Sequence, residues 1–561
     1  MLRAYRSDDI RAAEAPLLAA GVPLMERASY AVANTVISHR RRAGLGIPGT
    51  SVVALVGAGN NGGDALYAAA YLARRGMAVH AVVCADAHTT GLVAAERAGV
   101  RIVPVNGADE ARDVVTRLAA AADVWLDGLV GIGARGRLRE PHATIVRTLG
   151  EIRERAAVEP LAVAIDLPSG VGADDGTVSG PAFRADITVT MGAPKPGLVL
   201  DPGRRYVGEL VEVDLGLVEH LPSEPALLSL DARDIADLWD YPGPDSHKYT
   251  RGVVGLMTGS VRYPGAALLS AGAALAGGPG MVRYAGPREL TELVISHHPE
   301  IVADMGRVQA WVIGSGVDMD NAVAAAEAAR RLEESITEGI PVVLDAGAIA
   351  LVHSLDVPST VVLTPHAGEL AALLAARGEA LTREEITAAP ARAARLAATL
   401  TGATVVLKGA TDVVCGPDDP LYAQSGAPGW RATAGAGDVL AGLLGAILAG
   451  WGDELAELGK GRGIPARLAA AACYLHARAA QIASGTGTVA SGTVASGLAT
   501  SGPVSSASGT SGTVASATHT STPLTSVPGT SAPVASSSGR PIRATEIAAA
   551  IPAAIAESLN S

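Results

Sequence analysis

The chain has 561 residues, of which 48% are apolar and 3% aromatic, and its formal net charge is -12. This length exceeds what one hydrophobic core supports, so we expect two or three domains with cores of Ala, Val, Leu and Ile. The acidic balance, which no concentrated Lys/Arg stripe offsets, argues against a nucleic acid as the main partner.

The amino-terminal residues, Met1 to Glu14, are interrupted by charges, and no apolar run is long enough to span a bilayer. The pattern predicts neither a signal peptide nor a membrane anchor. The three cysteines, Cys84, Cys415 and Cys473, fit neither a disulfide framework nor a metal-binding spacing. We therefore expect buried thiols in a soluble cytoplasmic protein.

Two stretches of the chain alternate β-like apolar runs with helical segments rich in Ala and Leu. Such alternation predicts mostly parallel sheets with helices on both faces. Between them, residues 218–244 are richer in Pro and acidic side chains and contain no clear strand. We predict a first domain over 1–217, a linker over 218–244 and a second domain over 245–483.

Residues 484–539 differ from the rest of the chain, because they consist of near-repeats such as Thr-Val-Ala-Ser-Gly with almost no charge. Without large apolar side chains such a segment buries too little surface to offset its ordering entropy. We predict a disordered insertion, although its valines and threonines also permit some strand. Residues 540–561 return to an amphipathic pattern, which predicts a helix that packs on the second domain.

A glycine-rich loop follows the first strand of the first domain and opens a helix. It matches the dinucleotide fingerprint G-x-G-x-x-G at Gly57, Gly59 and Gly62, and Asp86 ends the next strand, where a ribose-binding acid would lie. An ordinary dehydrogenase is therefore an alternative. Against it, Asp64 falls in the first helical turn, where it would repel a pyrophosphate.

Polar side chains also follow later strands of this domain. Asp127 precedes a glycine-rich loop with Arg135 and Arg137, which suits a phosphate cradle or a flexible turn with solvated arginines. Asp166 and Ser169 follow another strand at a proline-containing turn. Because the carboxyl ends of parallel strands converge on one crevice, we expect these groups to form one site.

In the second domain, Gly435-Ala-Gly-Asp438 opens an apolar helix. The backbone N–H groups of Ala434 to Gly437 can surround a phosphate at this helix start, with Asp438 as a general base beside a hydroxyl. A capped glycine-rich turn is the simpler explanation. Other polar residues at strand ends also have simple explanations when taken singly: Asp345 as an N-cap, His366 as a turn residue and Lys408 as an exposed strand end.

Three motifs, taken in order, resemble a known family: Asn60-Asn-Gly-Gly-Asp, Asp166-Leu-Pro-Ser-Gly and Pro194-Lys-Pro-Gly. From Ala4 to Gly216 the chain is similar to the epimerase domain of the bifunctional NAD(P)H-hydrate repair enzymes. The resemblance implies a Rossmann-like three-layer α/β domain, with Asp166 as the candidate acid/base and K⁺ held by Asn61, Asp127 and Ser169. The implied substrate contacts are Asn60, Asn61, Gly62, Gly63, Asp64, Gly131, Ile132, Gly133, Ala134, Arg135, Gly136, Arg137 and Asp166. Ala65 departs from the family pattern, where glycine is expected.

The second set of motifs resembles the dehydratase domain of the same enzymes, from Asp245 to Ala483 plus the last helix. This implies a ribokinase-like α/β fold. The implied nucleotide contacts are Lys408, Gly409, Ala410, Thr411, Asp412 and Gly437, and the implied substrate contacts are Gly316, His366 and Asp438. The chain departs from the family at Asp412, which follows Thr411, and at Ala346, where a second Asp is common.

The resemblance implies that the first domain interconverts R and S hydrates of NADH and NADPH, and that the second dehydrates the S form with ADP and Mg²⁺, releasing AMP and phosphate. Asp438 would deprotonate the C6 hydroxyl for phosphorylation, and phosphate would then be eliminated. We expect small-molecule partners, no nucleic acid or membrane partner, and a homo-oligomer. Two alternatives stay open: a vitamin-precursor or sugar kinase with an accessory Rossmann-like domain, and a non-catalytic nucleotide sensor.

Overall fold

The computed structural model describes residues 1–84, 86–239, 242–304, 306–457, 463–486 and 539–561. Most of the segment predicted to be a disordered insertion, 487–538, lies outside the described residues, so that prediction remains a prediction. Among the described helices, none is both long and apolar enough to cross a membrane.

The described strands form two separate sheets. In chain order they are β1 (Leu2–Ala4), β2 (Ser51–Val56), β3 (Ala78–Val83), β4 (Arg101–Pro104), β5 (Val124–Gly128), β6 (Leu161–Ile165), β7 (Ile187–Met191), β8 (Glu209–Val213), β9 (Leu227–Ser229), β10 (Val253–Met257), β11 (Met281–Tyr284), β12 (Ala310–Ile313), β13 (Val342–Leu344), β14 (Val361–Leu363), β15 (Thr404–Leu407), β16 (Asp412–Cys415) and β17 (Leu421–Gln424).

Helices cover the faces of both sheets. They are α1 (Ser7–Ala19), α2 (Leu24–Arg42), α3 (Gly59–Arg74), α4 (Thr89–Arg97), α5 (Ala108–Ala119), α6 (His142–Arg155), α7 (Ala232–Ala236), α8 (Pro264–Ala276), α9 (Arg288–His297), α10 (Ala322–Glu338), α11 (Ala367–Ala376), α12 (Arg383–Ala388), α13 (Pro390–Thr401), α14 (Ala436–Gly450), α15 (Gly452–Glu457), α16 (Ile464–Ser484) and α17 (Ala544–Leu559).

The first sheet has the order β4-β3-β2-β5-β6-β7-β8, and all its described pairings are parallel. Its central strands are continuous apolar runs such as Ser51-Val-Val-Ala-Leu-Val, as expected for strands covered on both faces. The strand order reverses between β2 and β5. In open α/β sheets, ligands bind in the crevice at such a switch point.

The second sheet has the order β1-β9-β17-β16-β15-β14-β13-β12-β10-β11. The pairings among strands β10 to β15 are all parallel, whereas β16 is antiparallel to both β15 and β17. Two buried clusters, rich in Val, Leu, Ile and Ala, lie on the two faces. Helix α14 crosses one face and carries its amino terminus to the carboxyl ends of the parallel strands.

The expectation that residues 218–244 contain no strand is wrong. Strand β9 pairs with β17, and helix α7 follows it, so this segment adds an edge to the second sheet. Strand β1, at the start of the chain, pairs with β9 in turn. Leu227 joins one buried cluster and Leu228 the other. A three-residue strand whose partner lies almost 200 residues further along the chain leaves no local signal in the sequence.

Helix α17, after the low-complexity segment, packs against α16, α8 and α7. Its buried face carries Ile547, Ile551 and Ile555, spaced by four residues as a helical contact requires. The carboxyl terminus thus completes the core of the second domain.

Candidate active sites

The first candidate site lies at the switch point of the first sheet, where the loops after β2 and β5 meet. A Cβ at Gly57 would lie 1.9 Å from the carbonyl oxygen of Leu129, and one at Gly62 would lie 1.9 Å from that of Gly57. Gly59 has a φ of +83°. These glycines therefore allow one backbone segment to pack on another, which accounts for the fingerprint without a bound pyrophosphate.

The departure at Ala65 is accommodated by the loop that follows β5. Ala65 is fully buried, and a Cβ at Gly128 would come within 2.5 Å of its methyl group. The extra methyl therefore occupies space that Gly128 leaves free, and the start of α3 is not displaced from the crevice.

The structure brings the three predicted potassium ligands together. Asp127 accepts hydrogen bonds from the N–H of Ser169 at 2.7 Å and from its hydroxyl at 2.7 Å. Asn61 donates its side-chain N–H to the carbonyl of Val130 at 2.8 Å. Asp127 is fully buried, and burial raises its pKa to about 6. In the part of the chain that the structure describes, no cationic side chain pairs with it.

Asp166 directly follows β6 and has a φ of +66°, which is strained for a residue with a side chain. It forms an ion pair with the fully buried Lys195. The Lys195 ammonium also donates to Thr190 Oγ1 at 3.0 Å and to the carbonyl of Met191 at 3.1 Å, and the Met191 N–H donates to Asp166 at 3.1 Å. The sequence motif contained Lys195, but its role as the partner of Asp166 was missed.

Two further carboxyl groups lie close to Asp166. Burial raises the pKa of Asp64 well above its ordinary value, against a hydrogen bond from Ser29 Oγ at 3.1 Å. The charges of Asp166 and Glu14 raise it further. Burial and the charge of Asp166 also raise the pKa of Glu14, a residue that the sequence reasoning did not single out. The first site thus combines a carboxylate paired with lysine and carboxyl groups that retain protons more readily.

The glycine-rich loop after β5 borders a cavity of about 470 Å³, whose other wall includes residues 170–172. Residues 133–137 line it, and Arg135 and Arg137 are exposed. Gly131 and Ile132 do not line this cavity, although both are predicted contacts. Gly131 instead packs beside Asn61, and the carbonyl of Ile132 accepts a hydrogen bond from Arg11 at 3.1 Å.

The second candidate site is built around the amino terminus of α14. Gly435, the N-cap, has a φ of +88°, and Asp438 lies in the first turn. The backbone therefore presents N–H groups where an anion is stabilised. Burial raises the pKa of Asp438 to about 6; the charge of Asp345 adds to the increase and that of Lys408 opposes it.

Lys408 and Asp345 are not the isolated residues that their simple explanations assume. Lys408 Nζ lies 3.0 Å from Oδ1 of Asp345. The same oxygen accepts a hydrogen bond from the Thr364 hydroxyl at 2.7 Å, and Oδ2 accepts one from the Ser315 hydroxyl at 2.8 Å. Burial alone would raise the pKa of Asp345, but Lys408 and these donors hold it below its ordinary value. A Cβ at Gly437 would lie 3.3 Å from Lys408 Nζ, so the ammonium is beside the start of α14.

The loop of residues 408–412 is held by carboxylates. Asp412 accepts from the N–H of Gly409 at 3.0 Å and forms an ion pair with Arg431. Its side chain is therefore committed to shaping the loop, which explains this departure from the family pattern. The N–H of Thr411 donates to Asp201, a residue of the first domain. Gly409 and Ala410 are exposed, so the backbone at the tip of the loop stays accessible.

His366 is both a helix cap and an open side chain. Its Nδ1 accepts from the N–H groups of Gly368 at 3.0 Å and Glu369 at 3.1 Å, which caps α11. The imidazole is 62% exposed, and its Nε2 lies 3.6 Å from Glu369 Oε1. Gly316 has a φ of +68° and lies against Tyr263, an exposed aromatic residue that the sequence reasoning did not single out.

A family model described as NAD(P)H-hydrate dehydratase matches residues 254–516, and one described as YjeF-related protein N-terminus matches residues 21–197. A bifunctional NAD(P)H-hydrate repair enzyme of Mycobacterium tuberculosis strain H37Rv is 40% identical over 464 residues, which cover 79% of this chain and 89% of that protein. The chain belongs to the family of bifunctional NAD(P)H-hydrate repair enzymes. The resemblance inferred from the motifs is thereby confirmed.

A further relative and two solved structures are also similar to this chain. The bifunctional repair enzyme of Mycobacterium leprae is 39% identical over 496 residues, 86% of this chain and 94% of that protein. An ADP/ATP-dependent NAD(P)H-hydrate dehydratase from Bacillus subtilis, co-crystallised with ATP and Mg²⁺, is 25% identical, with a TM-score of 0.38; the match covers 45% of this chain and 88% of that one. A ribokinase-like superfamily protein from Enterococcus faecalis is 23% identical, with 46% and 89% covered and a TM-score of 0.39.

For this repair enzyme, the predicted fold class is confirmed by the strand orders and the matched family models. A Rossmann-like three-layer domain precedes a ribokinase-like α/β domain. Each domain gathers its own set of motif residues at the carboxyl ends of its parallel strands.

Proposed function

We propose that this chain repairs hydrated NADH and NADPH with two active sites, an epimerase in the first domain and an ADP-dependent dehydratase in the second. The observation that carries the proposal is the assembly of two independent acid/base sites, one around Asp166 and one around Asp438, within a member of this family.

In the first site, Asp166 would act on the hydroxyl at C6 of the hydrate. It would take the hydroxyl proton as the C6–N1 bond breaks and deliver that proton to N1, which leaves an aldehyde at C6. Rotation and the reverse reaction would close the ring with the opposite configuration. Lys195 keeps Asp166 in place and compensates its charge, while the more readily protonated Asp64 can donate a hydrogen bond to the substrate.

In the second site, Asp438 would deprotonate the C6 hydroxyl of the S hydrate, whose oxygen attacks the β-phosphorus of ADP and displaces AMP. The N–H groups at the start of α14 and the Lys408 ammonium would stabilise the phosphoryl group in transfer. Phosphate then leaves C6 as C5 loses a proton, which restores the dihydropyridine. Phosphorylation is needed because hydroxide is a poor leaving group.

The residues around Asp127 fit a potassium ion. The carboxylate is buried without a cationic partner among the described residues, and its neighbours supply only neutral oxygens, from Asn61, Ser169 and the Val130 carbonyl. Hard oxygen donors of this kind suit K⁺. The ion would compensate the charge of Asp127 and, through the Val130 carbonyl, hold the start of the glycine-rich loop. These residues would hold the ion, whereas the proton transfers would be carried out by Asp166, with Lys195 and Asp64 beside it.

Magnesium fits the second site in a different way. Lys408 lies 3.0 Å from Asp345 and 4.0 Å from Glu369, which leaves Asp438 as the nearby carboxylate with no ion pair among the described residues. Mg²⁺ commonly combines few protein carboxylates with substrate phosphates, and its role would be to neutralise the charge of the ADP phosphates.

We further propose that the enzyme works in the cytoplasm, because its three buried free thiols suit a reducing compartment. We also propose that it forms a homo-oligomer.

Matched carboxylate variants test the assignment of the two reactions. Asp438→Asn should abolish ADP-dependent recovery of NADH but leave epimer exchange intact, and Asp166→Asn should do the reverse. The exposed carboxylates Asp8 and Asp453 provide controls, since Asn at either position should change neither rate. Near-normal dehydration by the Asp438 variant would remove this residue from the mechanism, and unchanged exchange by the Asp166 variant would require another base.

A further inference from the structure

A buried hydrogen bond connects the first domain with residues 408–412 of the second, the loop proposed above to bind the nucleotide. The N–H of Thr411 donates to Oδ2 of Asp201 at 2.9 Å. Both residues are buried, with 7% of Asp201 and 4% of Thr411 exposed. Since the bond is shielded from water and its acceptor is charged, it constrains the loop more than an exposed contact would.

Asp201 is itself firmly anchored. Its other carboxylate oxygen accepts from Arg205 Nε at 3.2 Å, which compensates its charge. The two residues before it, Val199 and Leu200, are buried in the cluster that covers one face of the second sheet and that includes Leu407. The first domain therefore contributes both the acceptor and the packing that holds it.

The remaining bonds of the loop show what Asp201 adds. Within the second domain, Asp412 takes the N–H of Gly409, and Arg431 fixes Asp412. Asp201 takes the N–H of Thr411 from the other side. The two carboxylates thus turn two N–H groups inward and leave the tip, at Ala410, facing solvent. Without Asp201, the Thr411 N–H would lack its partner, and the bonds from Asp412 and Arg431 to Gly409 would hold only the other side of the loop.

We propose that Asp201 is a positioning residue for the dehydratase site, so that the first domain sets the conformation of the loop that binds ADP. This inference rests on the nucleotide role proposed for residues 408–412. The same segment carries Lys195, the partner of Asp166, six residues before Asp201. A single stretch of the first domain therefore links the acid/base group of one site to the nucleotide loop of the other.

The test is the affinity of the full-length protein for ADP with Mg²⁺, measured by calorimetry. Asp201→Ala should weaken ADP binding about tenfold, the equivalent of one well-placed bond to a charged group. Asp201→Asn keeps an acceptor at the same position and should restore the affinity to within about threefold. Asp113→Ala removes an exposed carboxylate on α5 of the first domain and is the matched control, with unchanged affinity expected.

A second readout separates positioning from general destabilisation. ADP should slow amide exchange in peptides covering residues 195–207 of the unaltered protein, because the loop and Asp201 are held together, but not in Asp201→Ala. Asp201→Ser, whose shorter hydroxyl cannot span the contact, should reproduce the loss if the alanine variant folds poorly. Affinities of both variants equal to the unaltered protein would overturn the proposal.

The outcomes also distinguish this inference from the proposed function. A protein that binds ADP but never releases NADH would contradict the dehydratase assignment alone, and the variant affinities would still decide the role of Asp201. A protein that does not bind ADP at all would overturn both.

Discussion

Replacing Lys195 by Met removes a fully buried charge from the first site. The ammonium is fully buried and has three partners: Asp166, Thr190 and the carbonyl of Met191. Methionine retains most of the side-chain volume, so little of the effect comes from a cavity. The variant instead loses the ammonium charge that compensates the Asp166 carboxylate, which is buried away from bulk water.

Removing one partner of a buried ion pair destabilises a protein by about 3–5 kcal/mol, because the other charge stays buried without compensation. We expect a loss of this size for Lys195→Met in the first domain. The double variant Lys195→Met with Asp166→Asn removes both charges and should regain most of the lost stability.

Urea unfolding, followed by hydrogen exchange in first-domain peptides such as those of β6 and β7, measures this loss domain by domain. Epimer exchange should fall strongly in the single variant, and by more than ADP-dependent dehydration of the S hydrate by the second domain. A loss below about 1 kcal/mol, or equal losses in the single and double variants, would refute the argument that this pair is a coupled buried charge pair.

Three further predictions concern the two sites. The rate of dehydration should rise with pH through about 6 and then level off, because Asp438, whose pKa burial raises to about 6, must be ionised to act as a base; a profile that falls over this range would contradict that role. The melting temperature of the first domain should be higher in potassium chloride than in choline chloride at equal ionic strength. This difference should shrink below pH 6, where protons compete with the ion for Asp127, and it should disappear in Asp127→Asn. An equal difference in the variant would place the ion elsewhere. Gly62→Ala should disrupt the first domain, because its Cβ would lie 1.9 Å from the carbonyl oxygen of Gly57. Gly150→Ala, in open space on α6, is the matched control. Normal epimerisation by the Gly62 variant would show that the two backbone segments, at Gly57 and Gly62, can separate.

The sequence predicted the parts of the sites that are continuous in the chain. Apolar runs identified the central strands, and the polar residues after them, such as Asp127 and Asp166, met in one crevice because neighbouring parallel strands end at the same edge. The glycines at Gly57 and Gly62 were recognised, but the reason for them, contact between two backbone segments, became visible only in three dimensions.

What the sequence did not predict depends on partners that are distant along the chain. Strand β9 was taken as linker because its pairing with β17 and β1 gives it no pattern of its own. Lys195 lay in the motif Pro194-Lys-Pro-Gly without an assigned role, and Asp201 was not singled out, since their partners Asp166 and Thr411 are 29 and 210 residues away. The ion pair of Asp412 with Arg431, 19 residues further along the chain, was likewise not predicted.

The central claim is that one chain carries both repair activities. The most direct test is absorbance at 340 nm after the protein, ADP and Mg²⁺ are added to a mixture of both NADH-hydrate epimers. We predict recovery of the whole pool, with AMP and phosphate formed in equal amounts. Recovery of only the S fraction would contradict the epimerase assignment, and a stable phosphorylated product with no recovery would contradict the repair function and indicate a kinase.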